Sequence, residues 1–139
     1  MERAIEAAKK ASGEIAVGAV IVKDGKVISS SYNQKEALND VTAHAEILAI
    51  REAEKKLGSW RLQDCEMYVT LEPCPMCAWA IVQSRIKTVY FGSYDTNYGA
   101  LGSVIDVRKL ANSALKVYGG IMEHDCDELL KKCFENLRK

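Results

Sequence analysis

The hexapeptide Glu72-Pro73-Cys74-Pro75-Met76-Cys77 constrains this chain more than any other stretch, because it holds both of the chain's two prolines. Proline fixes φ and lacks an N–H, so neither residue can lie inside a helix or a central strand without breaking it. The flanks show what is being separated. Glu66-Met67-Tyr68-Val69-Thr70-Leu71 is a β-favouring run, and Ala78-Trp79-Ala80-Ile81-Val82 continues as a helix former. The unit reads as strand, tight turn, helix. Pro75 suits the first helical position, where its φ is already helical and its missing N–H would have had no intrahelical partner. Cys74 and Cys77 then stand three residues apart at the helix start. Their sulfurs point to one side, and the positive end of the helix dipole favours thiolates there. Two such thiolates make half of a zinc site.

The second half is offered by Thr42-Ala43-His44-Ala45-Glu46. Asn39-Asp40-Val41-Thr42 supplies capping side chains before a helix expected over 43–57, rich in alanine, leucine, glutamate and lysine. His44 falls in the first turn of that helix. Residues two apart do not share a helix face, so His44 and Glu46 would not both ligate one ion from the side. If the helix N-terminus instead points at the metal, His44 can bind while Glu46 reaches over an open coordination position and handles protons. His44, Cys74 and Cys77 are one ligand short of a closed structural site, and a water fills the gap. Zinc lowers the pKa of such a water to about 7, which makes hydroxide available for attack on an electrophilic carbon. Two rival readings use the same cysteines. Cys-Pro-Met-Cys between a strand and a helix is also how thioredoxin-like redox sites look, although those generally carry a further proline opposite the cysteines and this chain has none. A structural zinc site could be completed by His124 or Cys126.

Charge and length exclude several classes. With 19 basic and 19 acidic residues the net charge is zero, so any surface for nucleic acid has to be local. No apolar run approaches the length of a membrane span, and the N-terminus has no secretory pattern, which predicts a cytoplasmic protein. A chain of 139 residues suits a single domain over 1–139. Of five cysteines, Cys65, Cys126 and Cys133 are left as reduced, small apolar residues. The expected order is a helix within 1–12, strands at 17–22 and 27–31 joined at Asp24-Gly25, the histidine helix, a strand at 66–71, the cysteine helix to about residue 84, and a strand at 88–94. A short helix at 104–110, a fifth strand at 115–118 and a helix over 126–137 complete it. Strands joined through helices run parallel and need both faces covered, so the fold class is α/β, a three-layer α/β/α sandwich with a mixed five-stranded sheet.

The two motifs together resemble the cytidine-deaminase superfamily. Val17-Gly18-Ala19-Val20, Ser84-Arg85-Ile86 and Gly99-Ala100-Leu101-Gly102-Ser103 make the chain similar, over nearly its full length, to the bacterial tRNA adenosine deaminases. The resemblance implies zinc on His44, Cys74 and Cys77, one ion per subunit, with Glu46 as the catalytic proton carrier. It also implies hydrolytic conversion of adenosine to inosine at wobble position 34 of tRNA. Asn33, Ala45 and Asp95 match substrate-binding positions. Arg138 and Lys139 match the basic end that approaches the anticodon stem-loop, and a homodimer is implied. The alternative is a deaminase of a free base or nucleoside such as guanine or cytosine. Ala16 and Val41 stand where the family has proline, Trp79 where it has a small residue, and Ser113 where histidine is common; none of these removes a catalytic group.

Overall fold

In the computed structural model, which describes residues 1–138, the chain runs α1 (Glu2–Ala8), β1 (Gly18–Lys23), β2 (Lys26–Tyr32), α2 (Ala45–Leu57), β3 (Cys65–Leu71), α3 (Pro75–Gln83), β4 (Thr88–Ser93), α4 (Arg108–Ala111), β5 (Lys116–Tyr118) and α5 (Glu123–Leu137). The five strands form one mixed sheet in the order β2-β1-β3-β4-β5. β1 is antiparallel to β2 and β3, whereas β3, β4 and β5 run parallel. The α/β fold with a mixed five-stranded sheet is the one expected from the alternation of elements.

Strand alternation explains the layers. Ala19, Val69 and Phe91 are in register across β1, β3 and β4, as are Ile21, Met67 and Val89. All six belong to the main core, together with Ala45, Ala49 and Ala53 of α2 and Ala78, Ile81 and Val82 of α3. The alanines of α2 recur every four residues, so the stripe facing the sheet has almost no side-chain height and the helix lies close. On the opposite face two glycines do the equivalent work. A Cβ on Gly18 would collide with Ala4 O and stand 2.6 Å from Ala8 N of α1, and one on Gly92 would collide with the Cys126 sulfur of α5.

Several boundaries differ from expectation, each for a local reason. α1 stops at Ala8 rather than near residue 12, with the amides of Lys10 and Ala11 bonding in tight turns to Ala7 O and Ala8 O. The helix expected over 104–110 shrinks to α4, because Val104 N and Ile105 N both bond to Gly99 O and hold the preceding residues in a compact loop. α5 begins three residues earlier than expected, at Glu123, with Glu123 and Asp125 in the first turn, where carboxylates suit the dipole.

The topology brings several loops to one edge. β3 and β4 end at Leu71 and Ser93, β2 ends at Tyr32, and the antiparallel β1 starts at Gly18 beside them. Ligands in open α/β sheets collect beyond the carboxyl ends of the parallel strands, and the functional motifs emerge there.

Candidate active site and metal centre

Two helix N-termini meet at this edge. His44 is the N-cap of α2 (φ −76°, ψ 151°) and Cys74 the N-cap of α3 (φ −73°, ψ 172°), with Pro75 as the first helical residue. His44 therefore sits just outside the helix rather than in its first turn. Its extended backbone leaves the imidazole facing the cysteines: His44 Nδ1 is 3.7 Å from Cys74 Sγ and 3.5 Å from Cys77 Sγ. A tetrahedral ion with one Zn–N and two Zn–S bonds separates nitrogen from sulfur by about 3.6 Å, so the donors have the spacing of one zinc centre. One ligand atom from each of the three residues lies within 4.8 Å of the others. Among the described residues neither His124 nor Cys126 joins them. His124 is exposed on α5, and Cys126 is buried against Gly92.

The electrostatics match this donor set. The Cys74 thiol is lowered to about 4, first by its hydrogen bond with Cys77 and then by His44. Cys77 is pushed up by its hydrogen bond with Cys74 and by burial. His44 is raised, mainly by its bond to Cys74. The two sulfurs thus share one negative charge, and a dication is what allows both to ligate as thiolates. Glu46, 4% exposed, has its carboxyl raised to about 7, chiefly by burial. A carboxyl in that range can accept and release a proton near neutral pH.

His44, Glu46 and Cys74 open onto a cavity of about 320 Å³ whose wall also includes Val17, Asn33, Leu71, Asp95 and Tyr98. That volume suits a small ligand or one nucleobase. Asn33 is half-buried and doubly engaged: Ala45 N donates to its Oδ1 (2.8 Å), and its Nδ2 donates to Ile15 O (3.1 Å). The side chain that caps α2 therefore comes from the end of β2, while Asp40 closes a local turn by accepting from Thr42 N and Thr42 Oγ1 (2.9 and 2.7 Å). Ala45 is fully buried and its N–H is spent on Asn33. Asp95 reaches the cavity, with its Oδ1 accepting from Asn97 N and Tyr98 N at 2.9 Å each. Arg138 is exposed just past α5, and Lys139 lies outside the described residues.

Three departures from the family pattern acquire a setting. Ala16 N donates to Cys133 Sγ (3.2 Å), a bond proline could not make, and Cys133 Sγ donates to Glu14 O (3.3 Å). α5 is thereby tied to the segment that carries Ile15 and Val17 to the cavity. Val41 is 72% exposed and Trp79 39% exposed. Sequence reasoning assigned no role to Glu14 or Glu72. Glu14 accepts from Lys35 N and Glu36 N (2.8 and 3.1 Å), and Glu72 holds the loop after β4. Only the presence of Glu72 inside the hexapeptide could have pointed to it.

Comparison with known proteins places this geometry in context. Residues 1–93 match the family described as the cytidine and deoxycytidylate deaminase zinc-binding region. The chain is 43% identical over 143 residues to the tRNA-specific adenosine deaminase of Bacillus subtilis, covering 100% of this chain and 89% of that protein. A solved structure from work on A-to-I editing by tRNA:A34 deaminases at the wobble position of transfer RNA superposes with a TM-score of 0.87. The two are 45% identical, and the match covers 94% of this chain and 97% of that one. The guanine deaminase of Bacillus subtilis is similar at a TM-score of 0.66 and 40% identity, over 80% of this chain and 71% of the other.

Proposed function

The chain belongs to the cytidine and deoxycytidylate deaminase family, and on that premise we propose that it converts adenosine to inosine at wobble position 34 of tRNA by hydrolysis. The observation that carries the reading is the joining of a His/Cys/Cys triplet to a buried carboxyl at one cavity, in a chain alike over its full length to tRNA adenosine deaminases. Zinc held by His44 Nδ1, Cys74 Sγ and Cys77 Sγ supplies the Lewis acid that makes a water deprotonable at neutral pH.

The chain's own residues do the rest. The Glu46 carboxylate takes a proton from the attacking water and delivers it to the ring nitrogen beside the reacting carbon. It then carries a second proton to the departing amine, so that water and adenosine leave as ammonia and inosine. Asn33 offers its second amide hydrogen to the base, its first being held by Ile15 O. Val17 and Leu71 give the base an apolar wall, and Asp95 and Tyr98 form the rim on the nucleotide side. The target base leaves its stack to enter, at little cost in an already single-stranded loop. Arg138 and Lys139 meet the phosphates of the anticodon stem-loop.

The whole chain acts as a single domain, and no helix among the described residues is long and apolar enough to cross a membrane. A cytoplasmic homodimer is the working form. Met76 and Trp79, three apart on α3, are 37% and 39% exposed, an apolar helix face suited to a second copy.

Mass-spectrometric nucleoside analysis of an adenosine-34 tRNA after incubation with the zinc-loaded protein tests the reading, beside Glu46→Ala and with guanine, cytosine and adenosine as competing substrates. Inosine at position 34, lost in the variant, is the expected result. Turnover of a free base without inosine in the tRNA would overturn the RNA assignment.

A further inference from the structure

Glu72 is 2% exposed, and both of its carboxylate oxygens are occupied. Oε1 accepts from Asp95 N (3.2 Å) and from the Ser103 hydroxyl; Oε2 accepts from Leu101 N and Ser103 N, both at 3.1 Å. All four donors come from the loop after β4. Gly99, in the middle of that loop, lies so close that a Cβ would stand 2.5 Å from the Glu72 carboxyl carbon and 2.6 Å from Oε1. The same loop is stitched to the cysteine turn by Ala100 N donating to Pro73 O (2.9 Å), and Glu72 is itself anchored to the end of β4, its N donating to Ser93 O (2.9 Å).

We propose that Glu72 is a positioning residue for substrate: its carboxylate clamps the 95–103 loop so that Asp95 and Tyr98 form a fixed rim facing the metal-binding turn two residues away. Both rim residues line the cavity into which His44, Glu46 and Cys74 open. The donors around the two oxygens make an amide a poor substitute. A glutamine NH2 at the Oε2 position meets two backbone N–H groups, and at the Oε1 position it meets Asp95 N–H, where only the Ser103 hydroxyl can turn and accept. Loss of the clamp frees the rim while leaving the zinc donors on α2 and α3 in place.

The substrate side of this inference rests on the tRNA-deaminase reading; the clamp itself does not. The test compares zinc-loaded wild type, Glu72→Gln and the milder Ser103→Ala, by amide hydrogen exchange, zinc content, and kcat and KM on an adenosine-34 anticodon stem-loop. In Glu72→Gln, exchange should rise within 95–104 alone, with zinc still stoichiometric. KM should rise about tenfold and kcat change less than KM, as expected when buried loop bonds are lost. Ser103→Ala, which removes one donor from an exposed residue, should move both readouts the same way by a smaller factor. Unchanged loop protection in both variants overturns the clamp, as does a uniform rise in exchange in Ser103→Ala or an equal loss of kcat and kcat/KM. Absence of stem-loop turnover by wild type would refute the tRNA reading, while loop exchange would still decide the clamp.

Discussion

Asn33 stands at the junction of fold and chemistry, and two substitutions separate its roles. Asn33→Ala removes the acceptor for Ala45 N–H, the first helical amide of α2, on a residue with 0% exposure. Losing this cap strands a buried amide, a single loss that costs about 2 kcal/mol. For a chain of this size that is a fall in Tm of about 6 °C. Asn33→Asp keeps the acceptor and places a carboxylate at a helix N-terminus, a gain of about 0.5 kcal/mol. It forfeits the bond to Ile15 O, worth about 1 kcal/mol at a part-exposed site where water can replace it. The aspartate variant should therefore melt within about 2 °C of wild type. Thermal unfolding by circular dichroism on zinc-loaded samples reads the difference, and deamination rates read the second role, since aspartate lacks the amide hydrogen offered to the base. Stable but inactive aspartate, with destabilised alanine, is the expected pattern. An alanine variant as stable as wild type, or an aspartate less stable than alanine, would refute the capping argument.

Cys77→Ser should reduce bound zinc from one per chain to a small fraction, measured by elemental analysis, and chelation of the wild type should lower its Tm by a comparable amount, because the buried sulfur pair needs a cation to carry two charges. Gly92→Ala should cost about 1–3 kcal/mol by overpacking α5, with only partial rescue by Cys126→Ala in urea unfolding, since the Cys126 Cβ and Thr70 O would still lie 2.7 and 2.9 Å from the new methyl group. Arg108 hydrogen-bonds Asp106 and lowers its carboxyl below the ordinary 3.8. The stability it adds is present above that value and lost as pH falls through the lowered one, so Asp106→Asn should flatten only the acid end of the stability profile. Trp79→Gln should shift a dimer towards monomer in sedimentation velocity without changing the melting curve of the monomer.

Features that depend on neighbours in sequence were readable before the structure. Asp24-Gly25 predicts a tight hairpin because both residues must take positive φ, and they do, at 51° and 75°. Pro75 marks the first position of α3, which fixes where Cys74 and Cys77 stand. Features that depend on distant partners were not. The sequence points to residues 39–42 for the cap of α2, because caps are normally supplied from inside the local turn. The structure uses that turn for Asp40 and Thr42 and draws the helix cap from Asn33. The same limit hid Glu72, whose donors lie 23 to 31 residues further along the chain. It also hid the Ala16–Cys133 contact, which spans 117 residues.

These distant contacts share a purpose. Around the cavity, Asn33 binds the 15–17 segment and the start of α2, Glu14 binds the start of the 35–36 turn, and Glu72 binds the 95–103 loop. Apart from the Ser103 hydroxyl on Glu72, the partners of these side chains are backbone amides and carbonyls, so the cavity is shaped by these residues more than it is lined with their free groups. Hydrolytic deamination needs the reacting atoms aligned to within a fraction of an ångström, and misplacement of about 1 Å costs about a hundredfold in rate. The zinc ligands and Glu46 supply the reactive groups, while the side chains of Glu14, Asn33 and Glu72 hold four separate segments in one geometry. Substitutions at Glu14, Asn33 and Glu72 should accordingly change which bases are accepted, and how tightly, before they change zinc content. A screen of the three variants against stem-loop, adenosine and guanine, with zinc measured in parallel, distinguishes that outcome from simple collapse of the metal centre, which would lower zinc and every activity together.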